Sequence, residues 1–322
     1  MTRRSSRAGP SAAPSSSAPT SPERALVVAT HGRHNLIELP DGERLLAHAR
    51  GKRNESVVGD WVRWSATGDE ACIEAVETRR NLLMRQDVLR TKSFAANLDQ
   101  VLFVLAAEPD FSDMQLSRSL IACGEEGIPA IIALNKRDLA EAHARAWERL
   151  RPYQAMGYDV LPCSIRAADP QEFTALDARL HGRTTLILGP SGVGKSTLIN
   201  RLVPGATAQT GEISHALHAG RHTTTTTTLY WIDRREGTAV IDSPGFQEFG
   251  LHHLTAVQLA ALMPDLAAHA AGCKFHNCSH LHEPGCAVLA ALSQDGHAGG
   301  ITARRHDIYR ALHKELSGAP RY

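Results

Sequence analysis

At 322 residues the chain is long enough for two or three domains, because single cores rarely grow past roughly 250 to 300 residues. A formal net charge of +1 excludes a whole-protein field that gathers nucleic acid, so any such contact has to come from local basic patches. No apolar run approaches the roughly 20 residues that span a bilayer, and the N-terminus has no signal-like hydrophobic segment, so no membrane contact and a cytoplasmic location are expected.

Residues 1–24 are rich in Ser, Pro and Ala, with Arg3, Arg4, Arg7 and Arg24 against the one acid Glu23, and read as a disordered tail. Over 25–90, short segments ("ALVVAT", "NLIEL", "RLLAHA", "VVGDWVRW", "CIEAVE") alternate with turn signals at intervals of about ten residues, which predicts an N-terminal β-barrel of the OB-fold class, a candidate RNA-binding domain. Between Arg24 and Arg90 stand 11 Lys or Arg and 10 Asp or Glu, so the barrel is not basic as a whole. The exception is the loop Ala49–Asn54, "ARGKRN", which suits RNA; an ordinary solvated hairpin is the alternative. Trp61 and Trp64 are expected on opposite faces of one strand, one in the core and one placed to stack on a base.

From about residue 98 the pattern changes. Apolar runs at 101–107, 128–134, 158–163, 184–189 and 237–242 alternate with helical stretches near 112–125, 139–155, 170–181 and 195–202. Strands apolar throughout and separated by helices predict a mostly parallel sheet covered on both faces, an α/β domain over 91–250 whose ligands gather beyond the strand C-termini.

The run "IPAIIAL" ends in Asn135, Lys136, Arg137 and Asp138. A carboxylate at Asp138 accepts hydrogen bonds from guanine N1–H and its exocyclic amine, whereas adenine offers an acceptor there; such a pairing rejects the wrong base by ~10⁴-fold. Asn135 would tie this loop to the phosphate loop, and Lys136 would cover the base. After the next strand, Cys163 and Ser164 loosely match a second base loop whose backbone meets guanine O6, with Ile165 as the departure.

"GPSGVGKST" follows a strand and opens a helix. Gly189, Pro190, Ser191, Gly192, Val193, Gly194, Lys195, Ser196 and Thr197 thus form a candidate phosphate loop, with Lys195 reaching the β- and γ-phosphates and the Ser196 hydroxyl on Mg²⁺. In the threonine run 223–228, Thr224 is the candidate second Mg²⁺ ligand. Asp242, Ser243, Pro244 and Gly245 form an Asp-x-x-Gly, the acid for the Mg²⁺ shell and the glycine for the γ-phosphate. Where many GTPases carry a water-orienting Gln, this chain has Phe246, so intrinsic hydrolysis should be slow; His222 is the candidate catalytic group, a solvent-exposed loop histidine being the alternative.

Cys273, Cys278, His280 and Cys286 supply three thiolates and an imidazole, a closed set for one structural Zn²⁺ in a helical lobe over 251–322, with His276 and His282 as nearby competitors. The remaining cysteines, Cys72, Cys123 and Cys163, sit in apolar contexts. The basic helix around Arg304, Arg305, Arg310 and Lys314 either faces RNA or is merely solvated.

Along the chain the order is base reader, second base loop, phosphate loop, threonine run, Asp-x-x-Gly. This is a GTPase cycle cut after Asp-x-x-Gly and rejoined elsewhere, which a sheet tolerates when its old termini lie close together. With "GRHTTT", "DSPGFQEFGL" and the Cys-x4-Cys-x-His-x5-Cys cluster, the chain from about residue 25 resembles the circularly permuted, ribosome small subunit-dependent GTPase A family of bacteria. The resemblance implies an enzyme that hydrolyses GTP to GDP on the 30S subunit, in contact with 16S rRNA, as a late checkpoint of its maturation; a monomer is expected. A phosphate-loop ATPase or kinase, and a non-catalytic RNA-binding scaffold, are the competing classes.

Overall fold

The strand β1 (Glu23–His31) turns Ala25 and Val27 one way and Leu26 and Val28 the other, and all four are buried. It pairs with β2 (His34–Glu38), and β3 (Arg44–Ala49), β4 (Trp61–Thr67) and β5 (Glu70–Val76) complete the closed order β1-β2-β3-β5-β4-β1, an OB-type barrel. Ala25, Val27, Ile37, Ala47, Val62, Ala71 and Ile73 fill its interior, with three alanines leaving room for so narrow a closure. The computed structural model of the chain describes residues 22–32, 34–50, 55–67, 70–86, 91–166, 170–206, 226–243, 246, 249–293 and 300–318.

Both tryptophans are committed to packing. Trp64 lies against the barrel interior, while Trp61 lies against the larger core outside with the Arg24 guanidinium 3.9 Å above its ring. The basic loop is described only at its start, where Arg50 pairs with Glu74.

A hairpin that the sequence pattern does not announce, β6 (Leu82–Gln86) with β7 (Thr91–Ala96), leads out of the barrel. Asn81 closes its base by donating to the Leu98 carbonyl and accepting from the Leu98 N–H, both at 2.9 Å. Phe94 from this hairpin stacks on Phe249 at 5.0 Å between ring centres.

The central region alternates β8 (Gln100–Ala106), α1 (Asp113–Glu125), β9 (Ala130–Asn135), α2 (Ala140–Ala155), β10 (Asp159–Pro162), α3 (Pro170–Leu180), β11 (Thr184–Leu188), α4 (Lys195–Leu202), β12 (Thr227–Asp233) and β13 (Thr238–Asp242). Strands β10, β9, β8, β11 and β13 are parallel and β12 is antiparallel to β13. Because β11 runs parallel to β8 and β8 parallel to β9, the segments that follow β11 and β9 emerge at the same end of the sheet. The outer flank of β12 pairs with β1 through Ala29↔Thr228 and Thr30↔Thr227, so barrel and central sheet form one 11-stranded sheet. Buried Glu38 reinforces this junction: Trp231 Nε1 donates to it at 2.8 Å, Arg44 pairs with it at 2.8 Å and Arg234 at 3.2 Å.

The C-terminal lobe is made of short elements: α5 (Ala256–Leu259), α6 (Pro264–Ala270), α7 (Ala287–Ala290), the two-residue pair β14 (Leu292–Ser293) and β15 (Ile301–Thr302), and the long α8 (Ala303–Gly318). Thr255 and Gln258 form a capping box that starts α5. The lobe is seated on α1 and α2 by buried charge. Arg305, 5% exposed, bonds Asp265 through Nε at 2.7 Å and the Ser117 hydroxyl at 2.6 Å, with Tyr153 5.2 Å away under the guanidinium. Arg304 pairs with Asp113, Arg118 with Glu315, and His253 with Glu125 at 2.6 Å. Among the described residues no helix is long and apolar enough to cross a membrane.

Candidate functional site

The loop after β11 turns back on itself because two glycines permit contacts no other residue would. A Cβ on Gly189 would stand 2.1 Å from the Val104 carbonyl oxygen on β8, and one on Gly194 would stand 2.6 Å from Asn135 Nδ2. Gly194 has φ +107 and is the residue from which α4 starts. Val193 is fully buried beneath the loop, while Ser191, Ser196 and Thr197 face outward around the helix N-terminus. Lys195 folds over the loop, its ammonium donating to the Gly189 and Pro190 carbonyls at 2.6 and 2.7 Å. Backbone N–H groups at a helix start, with an ammonium beside them, make an anion cradle.

Asp242, at the end of β13, faces this cradle. Burial pushes its carboxyl above the usual range, opposed by the Lys195 charge; burial likewise lowers Lys195, opposed by Asp242. Ser243 Oγ lies 3.1 Å from Thr227 Oγ1, joining the ends of β13 and β12. Phe246 is turned into the core between Phe103 and Phe249, at 6.1 and 6.2 Å between ring centres, so its side chain does not face the phosphate side. His222, Thr224 and Gly245 lie outside the described residues.

On the other side of the cradle, Asn135 ends β9 nearly buried. Its Nδ2 donates to the Val193 carbonyl at 2.8 Å and its Oδ1 accepts the Ile165 N–H at 2.9 Å, so one side chain ties the phosphate loop to the loop after β10. Lys136 adopts φ +65 and its ammonium donates to the Glu108 carbonyl. The Arg137 N–H donates to the Cys163 carbonyl at 3.2 Å, and the Ser164 hydroxyl donates to Asp138 Oδ1 at 3.2 Å. Between these groups opens a cleft of about 270 Å³ lined by Asn135, Lys136, Asp138, Ile165, Arg166 and Gly194 among others. Cys163 itself is a buried core residue, leaving Ser164 as the polar member of that pair. Two partners escaped the sequence reading: Glu108, which acts through its carbonyl, and Arg201 of α4, which donates to the Ile165 carbonyl at 2.9 Å.

In the lobe, Cys273, Cys278, His280 and Cys286 bring their ligand atoms within 4.8 Å of one another. His280 Nδ1 lies 3.5 Å from Cys273 Sγ and 3.6 Å from Cys286 Sγ, and those two sulfurs are 3.9 Å apart. A tetrahedral zinc with Zn–S of about 2.3 Å and Zn–N of about 2.0 Å has S···N edges of about 3.5 Å and S···S edges of about 3.8 Å, so the four residues fit that ion. Burial lowers the His280 pKa, favouring the neutral imidazole that ligates. Around the cluster, His306 Nε2 lies 2.8 Å from the His280 carbonyl oxygen, the Tyr309 hydroxyl donates to the Ser279 carbonyl at 2.7 Å, and the Leu289 N–H donates to Cys286 Sγ at 3.4 Å. Glu283 shapes the intervening loop by accepting the N–H groups of Ser279, Leu281 and His282 and the Ser279 hydroxyl. His276 and His282 do not join the cluster.

A family model described as RsgA GTPase matches residues 76–252, more than half of the chain. The chain belongs to the RsgA GTPase family. As a member it is a GTP hydrolase with a circularly permuted motif order. The small ribosomal subunit biogenesis GTPase RsgA of Variovorax paradoxus (strain S110) is 60% identical over 292 residues, covering 91% of this chain and 92% of that protein. Its counterpart of the same name in Paraburkholderia xenovorans (strain LB400) is 50% identical, covering 91% and 93%. Two solved structures extend the likeness to three dimensions. YloQ, a circularly permuted GTPase, aligns with TM-score 0.65 at 26% identity over 94% of this chain and 98% of its own, and YjeQ from Thermotoga maritima with TM-score 0.69 at 28% identity over 92% and 99%.

Proposed function

We propose that the chain hydrolyses GTP to GDP and phosphate while bound to the small (30S) ribosomal subunit, acting late in its maturation in the cytoplasm. The observation that carries this reading is the Asn135 bridge, which locks a base loop and a phosphate loop into one cleft at a separation fixed by a single side chain. Its relatives bear the name small ribosomal subunit biogenesis GTPase, which supports the choice of particle.

In this reading Asp138 takes guanine N1–H and the exocyclic amine, and the Ser164 hydroxyl holds the carboxylate in place to do so. Lys136 lies along the base, and the N–H groups of Ser191–Thr197 cradle the α- and β-phosphates. Lys195 gives up its two carbonyl contacts for the β- and γ-phosphate oxygens. Ser196 and Thr224 would hold Mg²⁺, with Asp242 as the acid of its shell; when bound, the ion would supply positive charge to offset that of the phosphates. Since Phe246 is core-bound, His222 orients the attacking water, and turnover is slow until the particle arranges it.

The division proposed is a tail at 1–24, an OB-fold RNA-binding domain at 25–90, a permuted GTPase domain at 91–250 and a zinc-binding helical domain at 251–322. One structural Zn²⁺ sits among Cys273, Cys278, His280 and Cys286, and the protein works as a monomer on 16S rRNA. The test is GTP turnover with and without isolated 30S particles. Stimulation of at least about ten-fold is expected, and a rate that the particles leave unchanged rules out the ribosomal part of the reading.

A further inference from the structure

Ile165 is where the second base loop departs from the family pattern, yet both of its main-chain groups are held. Its N–H donates to Asn135 Oδ1 at 2.9 Å, and its carbonyl accepts from Arg201 Nη1 at 2.9 Å. Arg201 lies in the last turn of α4, the helix that starts at the phosphate loop. Its guanidinium rests 4.0 Å from the centre of the Phe173 ring on α3, so the side chain is fixed from below while its donor reaches the loop. At the other end of α4 a Cβ on Gly194 would come within 3.6 Å of Ile165 Cδ1. The loop is therefore held by Arg201 near the C-terminal end of the phosphate-binding helix and, through Asn135, by the loop that leads into its N-terminus.

We infer that Arg201 is a specificity-positioning residue that sets the distance between the second base loop and the guanine 6-position. This deepens the proposed nucleotide reading and rests on it. When Asp138 pairs with N1–H and the 2-amine, O6 is the next polar atom along the base edge. The wall beyond Asp138 on that side is Ser164, Ile165 and Arg166. Their main chain meets O6 only if the loop keeps its height, and a hydrogen bond to a carbonyl from a stacked, planar guanidinium fixes that height more tightly than apolar packing of Ile165 alone. Arg201 does not line the cleft; it acts through Ile165.

The test compares the full chain with Arg201→Met, Arg201→Lys and Phe173→Leu, measuring Kd by competition for GDP, 6-thio-GDP and IDP. Sulfur at the 6-position is a poor acceptor, so the GDP to 6-thio-GDP ratio reports the loop; IDP lacks the 2-amine, so the GDP to IDP ratio reports Asp138. In Arg201→Met the first ratio falls about three- to ten-fold, the size of one lost hydrogen bond, and the second stays within about two-fold. Arg201→Lys recovers part of the loss, and Phe173→Leu, which retains the donor, shows a smaller fall in the same ratio. An unchanged first ratio in Arg201→Met, or an equal fall in both, overturns the inference. A wild-type chain with no preference for GDP over either analogue overturns the nucleotide reading itself.

Discussion

Lys195 and Asp242 hold opposite charges in a site that disfavours both. Burial lowers one pKa and raises the other, and each charge offsets only part of its partner's cost. Ionised Asp242 is thus less favourable in the folded chain than in water, and Asp242→Asn should raise the Tm of the nucleotide-free protein by about 1–3 °C while abolishing Mg²⁺-dependent turnover. The sign with pH follows: as pH falls from neutral through the raised Asp242 pKa, the wild-type carboxyl becomes neutral and its penalty disappears. The Tm gap between the two proteins should therefore shrink with acid, as scanning fluorimetry at several pH values can measure; a gap that widens contradicts the assignment. At this scale the tie that Asn135 makes to the phosphate loop was legible, because fixed spacing after a strand places that residue. Glu108 and Arg201 were not, since contacts made by or to main-chain carbonyls leave no residue type for a pattern to specify.

Among the elements, the helices and parallel strands of the central sheet were readable from apolar runs, and each observed boundary falls within two residues of the pattern. The hairpin β6–β7 was missed because its strands flank no Asn-Gly or Asp-Gly turn and its base is closed by the Asn81 side chain. Helix α8 was read as a charged face, either solvated or RNA-bound, but Arg305 is buried and ties that helix to α6 and α1. Arg305→Met leaves Asp265 without its fork partner and should cost about 3–5 kcal/mol in urea unfolding. Arg305→Lys should restore less than half, because an ammonium cannot make both contacts at once. Removal of metal acts on the neighbouring segment. Chelation, or Cys278→Ser, should release about one zinc per chain and lower the Tm, while GDP affinity stays within about three-fold. A chelated protein with unchanged Tm argues against a structural ion.

Across the whole molecule one apolar core contains Leu26 and Leu36 of the barrel, Phe94 of the hairpin, Ile132 and Leu186 of the central sheet, and Val288, Tyr309 and Leu316 of the lobe. A chain that reads as several consecutive units thus shares one core across them, while the barrel interior and the opposite face of the central sheet keep cores of their own. Calorimetry of the zinc-loaded, nucleotide-free protein should accordingly show one main transition, and three resolved ones would contradict a shared core. The pairing of β1 with β12 has a further effect, on time. Ala29 meets Thr228, so the partner of an early strand is made 199 residues later (228 − 29 = 199). At about 5–20 residues per second the nascent barrel waits about 10–40 s for that edge to be closed. Throughout the wait the Ala29–Thr30 end of β1 lacks the strand that pairs with it, so synthesis itself leaves an open backbone edge that only the last third of the chain can close.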